Sequence, residues 1–138
     1  MCGINGIFFL HGHDNGQPAV HIKAMNDAIA HRGPDDAGYW CNTDATLHLG
    51  HRRLSIIDLS AAGHQPMTDQ QGDAIVFNGE IYNYKELQSL VQERGPLQSG
   101  SDTEVLLRLL KKENEKALQR LNGMFAFAWW NSEKKELL

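Results

Sequence analysis

The second residue of the chain is a cysteine, and a short apolar stretch, INGIFFL at 4–10, follows it closely. Removal of Met1 would leave Cys2 at the terminus, with a thiol and a free α-amine on the same carbon. An unperturbed α-amine has a pKa of about 7.7–8.0, so it can act as a general base for the thiol beside it. The apolar stretch predicts a strand, which would hold both groups still. Cys2 is therefore a candidate nucleophile, with a buried, unreactive cysteine as the alternative.

A nucleophile that attacks a carbonyl needs donors for the oxyanion, and the segment FNGEIYNY at 77–84 offers them. We expect a strand to end at Phe77 and to turn through Asn78 and Gly79, which would present a side-chain amide and an unshielded backbone N–H. Asn-Gly is also the commonest hairpin turn pair, so a plain turn is the alternative. The following KELQSLVQER predicts a helix rather than a returning strand, which favours the oxyanion hole.

Two segments carry charges that could bind the ends of an amino acid. Arg52 and Arg53 stand just before LSIID, and a guanidinium can hold a carboxylate through two parallel hydrogen bonds. Asp102 lies at a predicted helix start and could bind an ammonium group. The alternatives are surface charge for the two arginines and an ordinary helix cap for Asp102.

These residues need rigid elements to position them, and the apolar pattern predicts both helices and strands. Helices are expected over 19–32, from a capping box at Asn83 and Glu86 to Arg94, and after a cap at Ser101 or Asp102. The last of these has an apolar stripe at positions 105, 106, 109 and 110. Strands are expected over 4–10, 38–41, 45–53, 54–59, 73–79 and 124–130, with a return strand at 135–138.

Composition and charge exclude several classes of protein. A length of 138 residues suggests one domain, and a net charge of -4 without a basic block gives no sign of a nucleic-acid partner. No apolar run approaches the roughly 18 residues of a membrane span. The start lacks the basic residue and the longer apolar run of a signal peptide. Cys2 and Cys41 form no disulfide framework, so we expect a reducing, cytoplasmic location. The pair His11 and His13 lacks further ligands at metal-binding spacing, and we expect no metal site.

Seven motifs occur together in the order and spacing of one family: MCGINGIF, HRGPDD, HRRLSIIDLS, QPM, FNGEIYNY, SGSDTEV and NGMFAFAWW. Over essentially its whole length the chain resembles the N-terminal glutaminase domain of glutamine-dependent asparagine synthetases, which are class II (Ntn-type) glutamine amidotransferases. The resemblance implies an α+β fold of the Ntn-hydrolase kind, a four-layer sandwich of two antiparallel β-sheets between helical layers.

The resemblance also implies a role for each candidate residue. Cys2 would be the nucleophile with its own α-amine as the base, and Asn78 and Gly79 would form the oxyanion hole. Arg53 would bind the α-carboxylate of the substrate and Asp102 its amine. The other implied substrate-binding positions are Leu54, Ser55, Ile56, Ile57 and Glu80.

The implied reaction is hydrolysis of L-glutamine to glutamate and ammonia through a γ-glutamyl thioester on Cys2. The ammonia would serve an amide-forming synthetase domain in cis or in trans, most simply for asparagine synthesis from aspartate and ATP. No SGGLDS-type loop of that domain occurs in these 138 residues, so ATP and Mg are expected only there and no cofactor is expected here.

Some features of the protein stay open at this stage. The chain stops just after a hairpin has turned back, so we expect residues 1–138 to be a truncated glutaminase domain whose sheets are incomplete at the C-terminus. A homodimer is one possible assembly of the protein. The alternatives in function are a catalytically inactive Ntn-like domain for binding or regulation, and an Ntn hydrolase that acts on another amide.

Overall fold

A computed structural model of the chain describes residues 2–10, 16–56 and 60–138. The strands of this described part form two antiparallel sheets. The first has the order β1-β3-β2 and contains β1 (Gly3–Phe8), β2 (Asp36–Cys41) and β3 (Leu47–Arg53). The second has the order β4-β5-β6-β7 and contains β4 (Met67–Thr68), β5 (Ala74–Ile81), β6 (Gly123–Asn131) and β7 (Glu136–Leu137).

Helices cover the outer faces of both sheets. Helix α1 (Pro18–Ala28) packs against β1 and β3, while α2 (Tyr84–Val91) and α3 (Asp102–Glu113) pack against each other, with α3 also on β5. Strands β1 and β3 in turn contact β5, so the two sheets face one another. The layers therefore run helix, sheet, sheet, helices, which confirms the four-layer α+β sandwich.

Strand alternation divides the core into two clusters. On β5, Ala74 and Val76 pack toward the first sheet with Leu47 and Leu49, whereas Ile75 packs toward the helices. The predicted stripe of α3 is buried in the second cluster, each of its residues at 1% exposure or less: Val105, Leu106, Leu109 and Leu110. Burial of each such side chain contributes about 1.5–3 kcal/mol. The first cluster therefore holds the two sheets together, and the second holds α2 and α3 on the second sheet.

The prediction of a turn at Asn78 and Gly79 is wrong. Strand β5 continues through both residues, which pair with Ala126 and Phe125 of β6. A Cβ atom at Gly79 would overlap the backbone of Met124 and Phe125, so glycine is required here by close approach of the two strands. A pairing partner almost 50 positions away thus overrides the local turn signal of Asn-Gly.

Other predicted elements are shorter than expected or differ in detail. Helix α1 ends at Ala28 and a 3-10 turn follows at Ala30–Arg32; likewise α2 ends at Val91, before a 3-10 turn at Gln92–Arg94. The strand expected over 54–59 is wrong for its described part, because residues 54–56 have no strand structure. Residues 57–59 and the histidines at 11 and 13 lie outside the described residues.

The side chain of Asn83 does not form the expected capping box. Asn83 does precede α2, but its side chain accepts from Asn122 N at 2.9 Å and donates to Arg120 O at 2.9 Å. It therefore ties the start of the helix to the segment before β6. Ser101 is the cap of α3, since its Oγ accepts a hydrogen bond from Thr103 N at 3.1 Å. Within the described ranges no helix is both long enough and apolar enough to cross a bilayer.

Candidate active site

One cavity of about 160 Å³ brings most of the predicted site residues together. Cys2, Arg53, Asn78, Gly79 and Asp102 all line it. Three further predicted positions share the lining: Leu54, Ile56 and Glu80. Ser55 is not among the described lining residues, and Ile57 lies outside the described part of the chain.

The sulfur of Cys2 is held by the backbone at the end of β3. Leu54 N donates to Cys2 Sγ at 3.3 Å, and the thiol lies 3.6 Å from Leu54 O, within reach as a donor. Arg32 Nε donates to Cys2 O at 3.0 Å, which fixes the backbone of the same residue. The next residue, Gly3, already belongs to β1 and pairs with Arg52 of β3. Cys2 is therefore anchored on both its side chain and its carbonyl.

The segment HRGPDD at 31–36 supports this corner of the cavity. A Cβ at Gly33 would overlap the carbonyl of Arg52, so the segment lies directly on β3. Asp35 N donates to Arg53 O at 3.0 Å, and Asp35 Oδ2 accepts from Ser55 N at 2.8 Å. These contacts fix the chain on both sides of Leu54, whose backbone holds the sulfur.

The two adjacent arginines point to opposite faces of β3, because side chains alternate along a strand. Arg52 turns toward α1, where Nε donates to Asn26 O and Nη2 pairs with Asp27. Arg53 turns toward the cavity and is 8% exposed. Its Nη1 donates to Ser60 O at 2.9 Å, and a Cβ at Gly63 would overlap its guanidinium. Of the two, only Arg53 is placed to meet a carboxylate in the cavity.

Asp102 puts a buried carboxylate on the opposite wall. It is 4% exposed, and its Oδ2 accepts a hydrogen bond from Ile81 N at 3.0 Å. Burial raises the pKa of Asp102 above its ordinary value, and the nearby negative charge of Glu80 adds to the shift. A cation in the cavity would relieve both effects, so Asp102 suits an ammonium group.

Asn78 and Gly79 lie on β5 between these charged groups. The side chain of Asn78 is on the same face of the strand as Val76, toward the first sheet and Cys2. Among the described residues its buried Oδ1 has no hydrogen-bond partner. This oxygen can accept a hydrogen bond from a ligand, and the Nδ2 of the same amide is the group that could donate to an oxyanion. The arrangement can therefore bind a compact zwitterion and place a carbonyl between a thiol and two N–H donors.

Sequence analysis missed several residues that line the cavity. They are Gly63, Gln65, Phe77, Ser101, Thr103 and Met124. The sequence predicts no role for Gln65, although this residue lies in the QPM motif, and it predicts Ser101 only as a possible helix cap. The motif QPM was therefore the available signal for Gln65.

A second, wider cleft of about 790 Å³ lies beside α3 and contains none of the predicted site residues. Its charged lining groups already have partners: Arg108 pairs with Glu104 at 2.7 Å, and Lys111 pairs with Asp69. The smaller cavity is therefore the better candidate for chemistry.

Comparison with known proteins gives a consistent result. The family model described as the glutamine amidotransferase domain matches residues 1–138. Asparagine synthetase [glutamine-hydrolyzing] 1 of Bacillus subtilis is 44% identical over 135 residues, which cover 95% of this chain and 21% of that protein. Amidase chry2 of Gibberella zeae is 36% identical over 147 residues, which cover 100% of this chain and 22% of that protein. The chain thus spans only a minor part of the length of these curated relatives.

A solved structure shares the fold. Glutamine phosphoribosylpyrophosphate amidotransferase from B. subtilis, complexed with ADP and GMP, superimposes with a TM-score of 0.71. The match covers 91% of this chain and 34% of the other, at 22% sequence identity. At that identity the likeness concerns the fold alone.

Proposed function

The chain belongs to the glutamine amidotransferase domain family, and we propose that it hydrolyses L-glutamine to glutamate and ammonia with Cys2 as the nucleophile. The observation that carries this proposal is the convergence of Cys2, Arg53, Asn78 and Asp102 on one cavity of about 160 Å³. Cys2 directly precedes β1, and the other three lie on three different elements, β3, β5 and α3. Their types match, in turn, a nucleophile, a carboxylate clamp, an oxyanion donor and an ammonium acceptor.

Binding begins with the two charged ends of the amino acid. The guanidinium of Arg53 donates hydrogen bonds to the α-carboxylate, and Asp102 accepts hydrogen bonds from the α-ammonium group. Glu80 adds negative charge near the same end. With the α-carbon held in this way, the side-chain carboxamide extends toward the sulfur of Cys2 and the β5 backbone.

In the first chemical step the α-amine of Cys2 takes the thiol proton, and the sulfur bonds to the carboxamide carbon. The carbonyl electrons move to the oxygen, which is stabilised by Asn78 Nδ2 and the N–H of Gly79. Loss of one such donor costs roughly 3–4 kcal/mol in related acyl-transfer sites. The carbon–nitrogen bond then breaks, the ammonium of Cys2 returns its proton to the leaving nitrogen, and ammonia departs from a γ-glutamyl thioester.

Water completes the reaction. The free α-amine takes a proton from the water, whose oxygen attacks the thioester carbon. The carbon–sulfur bond then breaks, and the ammonium of Cys2 returns its proton to the sulfur, which gives glutamate and the thiol. This base exists only when Met1 has been removed. A cytoplasmic location fits a nucleophile that must stay reduced.

We further propose that the ammonia serves an amide-forming synthetase domain, in cis or in trans, with asparagine formation from aspartate and ATP as the first candidate. The similarity to an asparagine synthetase [glutamine-hydrolyzing] supports this acceptor. ATP and Mg would be bound by that synthetase domain, and residues 1–138 would form a glutaminase domain without a cofactor of its own. A homodimer is compatible with this arrangement.

A second candidate function is hydrolysis of a different amide. The similarity to a protein named amidase chry2 favours it. Ammonia release from glutamine, asparagine and simple acylated amines separates the two candidates, because only glutamine spans from Arg53 and Asp102 to the sulfur under the first proposal.

The test compares two cysteine variants after intact-mass spectrometry has established the loss of Met1. Cys2→Ala is expected to bind glutamine but to release no ammonia and, in hydroxylamine, to form no γ-glutamyl hydroxamate. Cys41→Ala is the matched control, because Cys41 is an exposed thiol on β2 outside the cavity. Turnover retained by Cys2→Ala, or lost by Cys41→Ala, contradicts the proposal.

A further inference from the structure

The edge of β5 that faces the cavity lacks a strand partner along part of its length. Strand β4 pairs only with Ala74 and Ile75. Two residues further on, side chains bind the backbone of Phe77 instead. Gln65 Oε1 accepts from Phe77 N at 2.7 Å, and His51 Nε2 donates to Phe77 O at 3.1 Å. These two side chains replace the missing strand at this point.

The same edge carries the proposed oxyanion donor. Backbone N–H groups of alternate strand residues point to the same side, so those of Phe77, Gly79 and Ile81 form one row. The first is bound by Gln65 Oε1 and the third by Asp102 Oδ2 at 3.0 Å. The N–H of Gly79 lies between these two fixed points and faces the cavity that Gly79 lines. Its position is therefore set by the hydrogen bonds on either side.

Gln65 is itself held at both ends of its amide. Its Nε2 donates to Thr103 Oγ1 at 3.2 Å, next to Asp102, and the side chain is buried at 6% exposure. Its backbone carbonyl packs so closely on Gly38 that a Cβ there would overlap it. The carboxamide thus connects β5, which carries the proposed oxyanion donor Gly79, to the start of α3, where Asp102 lies.

We propose that Gln65 is a positioning residue for amide cleavage, which holds the β5 edge at Phe77 so that the N–H of Gly79 meets the oxyanion. The inference rests on the proposed function, since it assigns Gln65 to that same reaction. Gln65 acts through Phe77 and does not touch the reacting atoms. A displacement of about 1 Å in such a site costs on the order of 100-fold in rate. The effect belongs to the transition state, so it should lower kcat rather than weaken glutamine binding.

The experiment uses Gln65→Met in the full chain. Methionine has a similar length and volume but cannot accept from Phe77 N. We expect kcat for glutamine hydrolysis to fall at least tenfold. In a Cys2→Ala background, the Kd for glutamine measured by calorimetry should stay within about threefold of that of Cys2→Ala alone. Gln92→Met, at an exposed glutamine after α2, is the matched control and should leave kcat unchanged.

Two further variants keep the inference testable if Gln65→Met does not fold. Gln65→Asn keeps the amide but is one methylene shorter, so it cannot reach both Phe77 N and Thr103; its kcat should also fall at least tenfold. Thr103→Val removes the second bond only, so its kcat should fall by less than that of Gln65→Asn.

The outcomes separate the inference from the function on which it rests. A kcat within twofold of wild type for Gln65→Met or Gln65→Asn overturns the positioning role while glutamine hydrolysis stands. Loss of kcat with an equal loss of glutamine affinity also overturns it, because that pattern indicates a general structural role. A wild-type chain with a free N-terminal Cys2 that releases no ammonia from glutamine contradicts the proposed function itself.

Discussion

The backbone N–H of Leu54 donates a hydrogen bond to the sulfur of Cys2 across 52 positions of sequence, at 3.3 Å. This bond joins the residue before β1 to the residue that follows β3. The neighbouring Arg53 lines the same cavity, so the position of the sulfur and that of the carboxylate clamp depend on one short stretch of backbone. The site is therefore sensitive to groups that fix Cys2 and β3 relative to each other.

Arg32 is the first of these groups, because its Nε donates to Cys2 O at 3.0 Å. Arg32→Ala removes this anchor and should let the terminal residue move away from Leu54. We expect kcat for glutamine hydrolysis to fall roughly tenfold or more, with KM changed little, since Arg32 holds the nucleophile and not the substrate. The neighbouring His31 is exposed, and His31→Ala should behave as wild type in the same steady-state assay. A rise in KM without a fall in kcat would contradict this assignment.

The two arginines of β3 provide a matched pair for substrate binding. Arg53→Lys keeps the charge but loses the planar fork that binds a carboxylate through two bonds, so KM for glutamine should rise about tenfold or more. Arg52→Lys makes the same change on the opposite face, where the side chain contacts α1, and should leave KM within about twofold. If both substitutions raised KM for glutamine equally in steady-state kinetics, the assignment of Arg53 rather than Arg52 as the carboxylate-binding residue would be wrong.

Much of this site is predictable from the sequence because the signals are local. The apolar spacing of α3 and the serine before it predict the helix and its cap, and both are present. Residue type alone makes Cys2 a candidate nucleophile and Arg53 a candidate clamp. Alternation along β3 then determines which arginine faces the cavity, once the strand is known to pack between α1 and the second sheet.

The errors come from contacts between distant parts of the chain. Asn78 and Gly79 carry a strong local turn signal, but pairing with β6 extends the strand through them. The side chain of Asn83 has the right spacing for a capping box, yet it bonds to Arg120 and Asn122. The QPM motif marks Gln65 but not its partner, because Phe77 is brought to it only by the pairing of β4 with β5.

The ionised carboxyl group of Asp102 is expected to lower the free energy of unfolding, although it serves the binding of glutamine. Burial raises its pKa above the ordinary value of 3.8, so the folded state binds the proton more tightly than the unfolded state does. Its contribution to stability is therefore largest at low pH and is lost as pH rises from about 3.8 through the raised value. Asp102→Asn keeps an acceptor for Ile81 N but does not titrate. At pH 7 the ligand-free variant should unfold at a higher temperature than wild type, while KM for glutamine rises at least tenfold.

Glu115→Gln is the control for Asp102→Asn, because Glu115 is an exposed carboxylate in the 3-10 turn after α3. Glu115→Gln should change the melting temperature by no more than about a degree and should leave KM for glutamine unchanged. A lower melting temperature for Asp102→Asn at pH 7 would mean that the ionised carboxylate stabilises this corner of the protein, contrary to the direction of its pKa shift.

His51 is expected to make the fold sensitive to mild acid. It is fully buried between the sheets, and burial lowers its pKa from 6.5 to about 4. A histidine whose folded pKa is depressed contributes stability above pH 6.5 that is lost as pH falls toward 4, here roughly 3 kcal/mol at most. His51→Gln can still donate to Phe77 O but does not titrate, so its urea midpoint should fall less than that of wild type between pH 6.5 and 4.5. His21→Gln, at an exposed position on α1, should follow the wild-type curve. Parallel curves for His51→Gln and wild type would contradict the prediction.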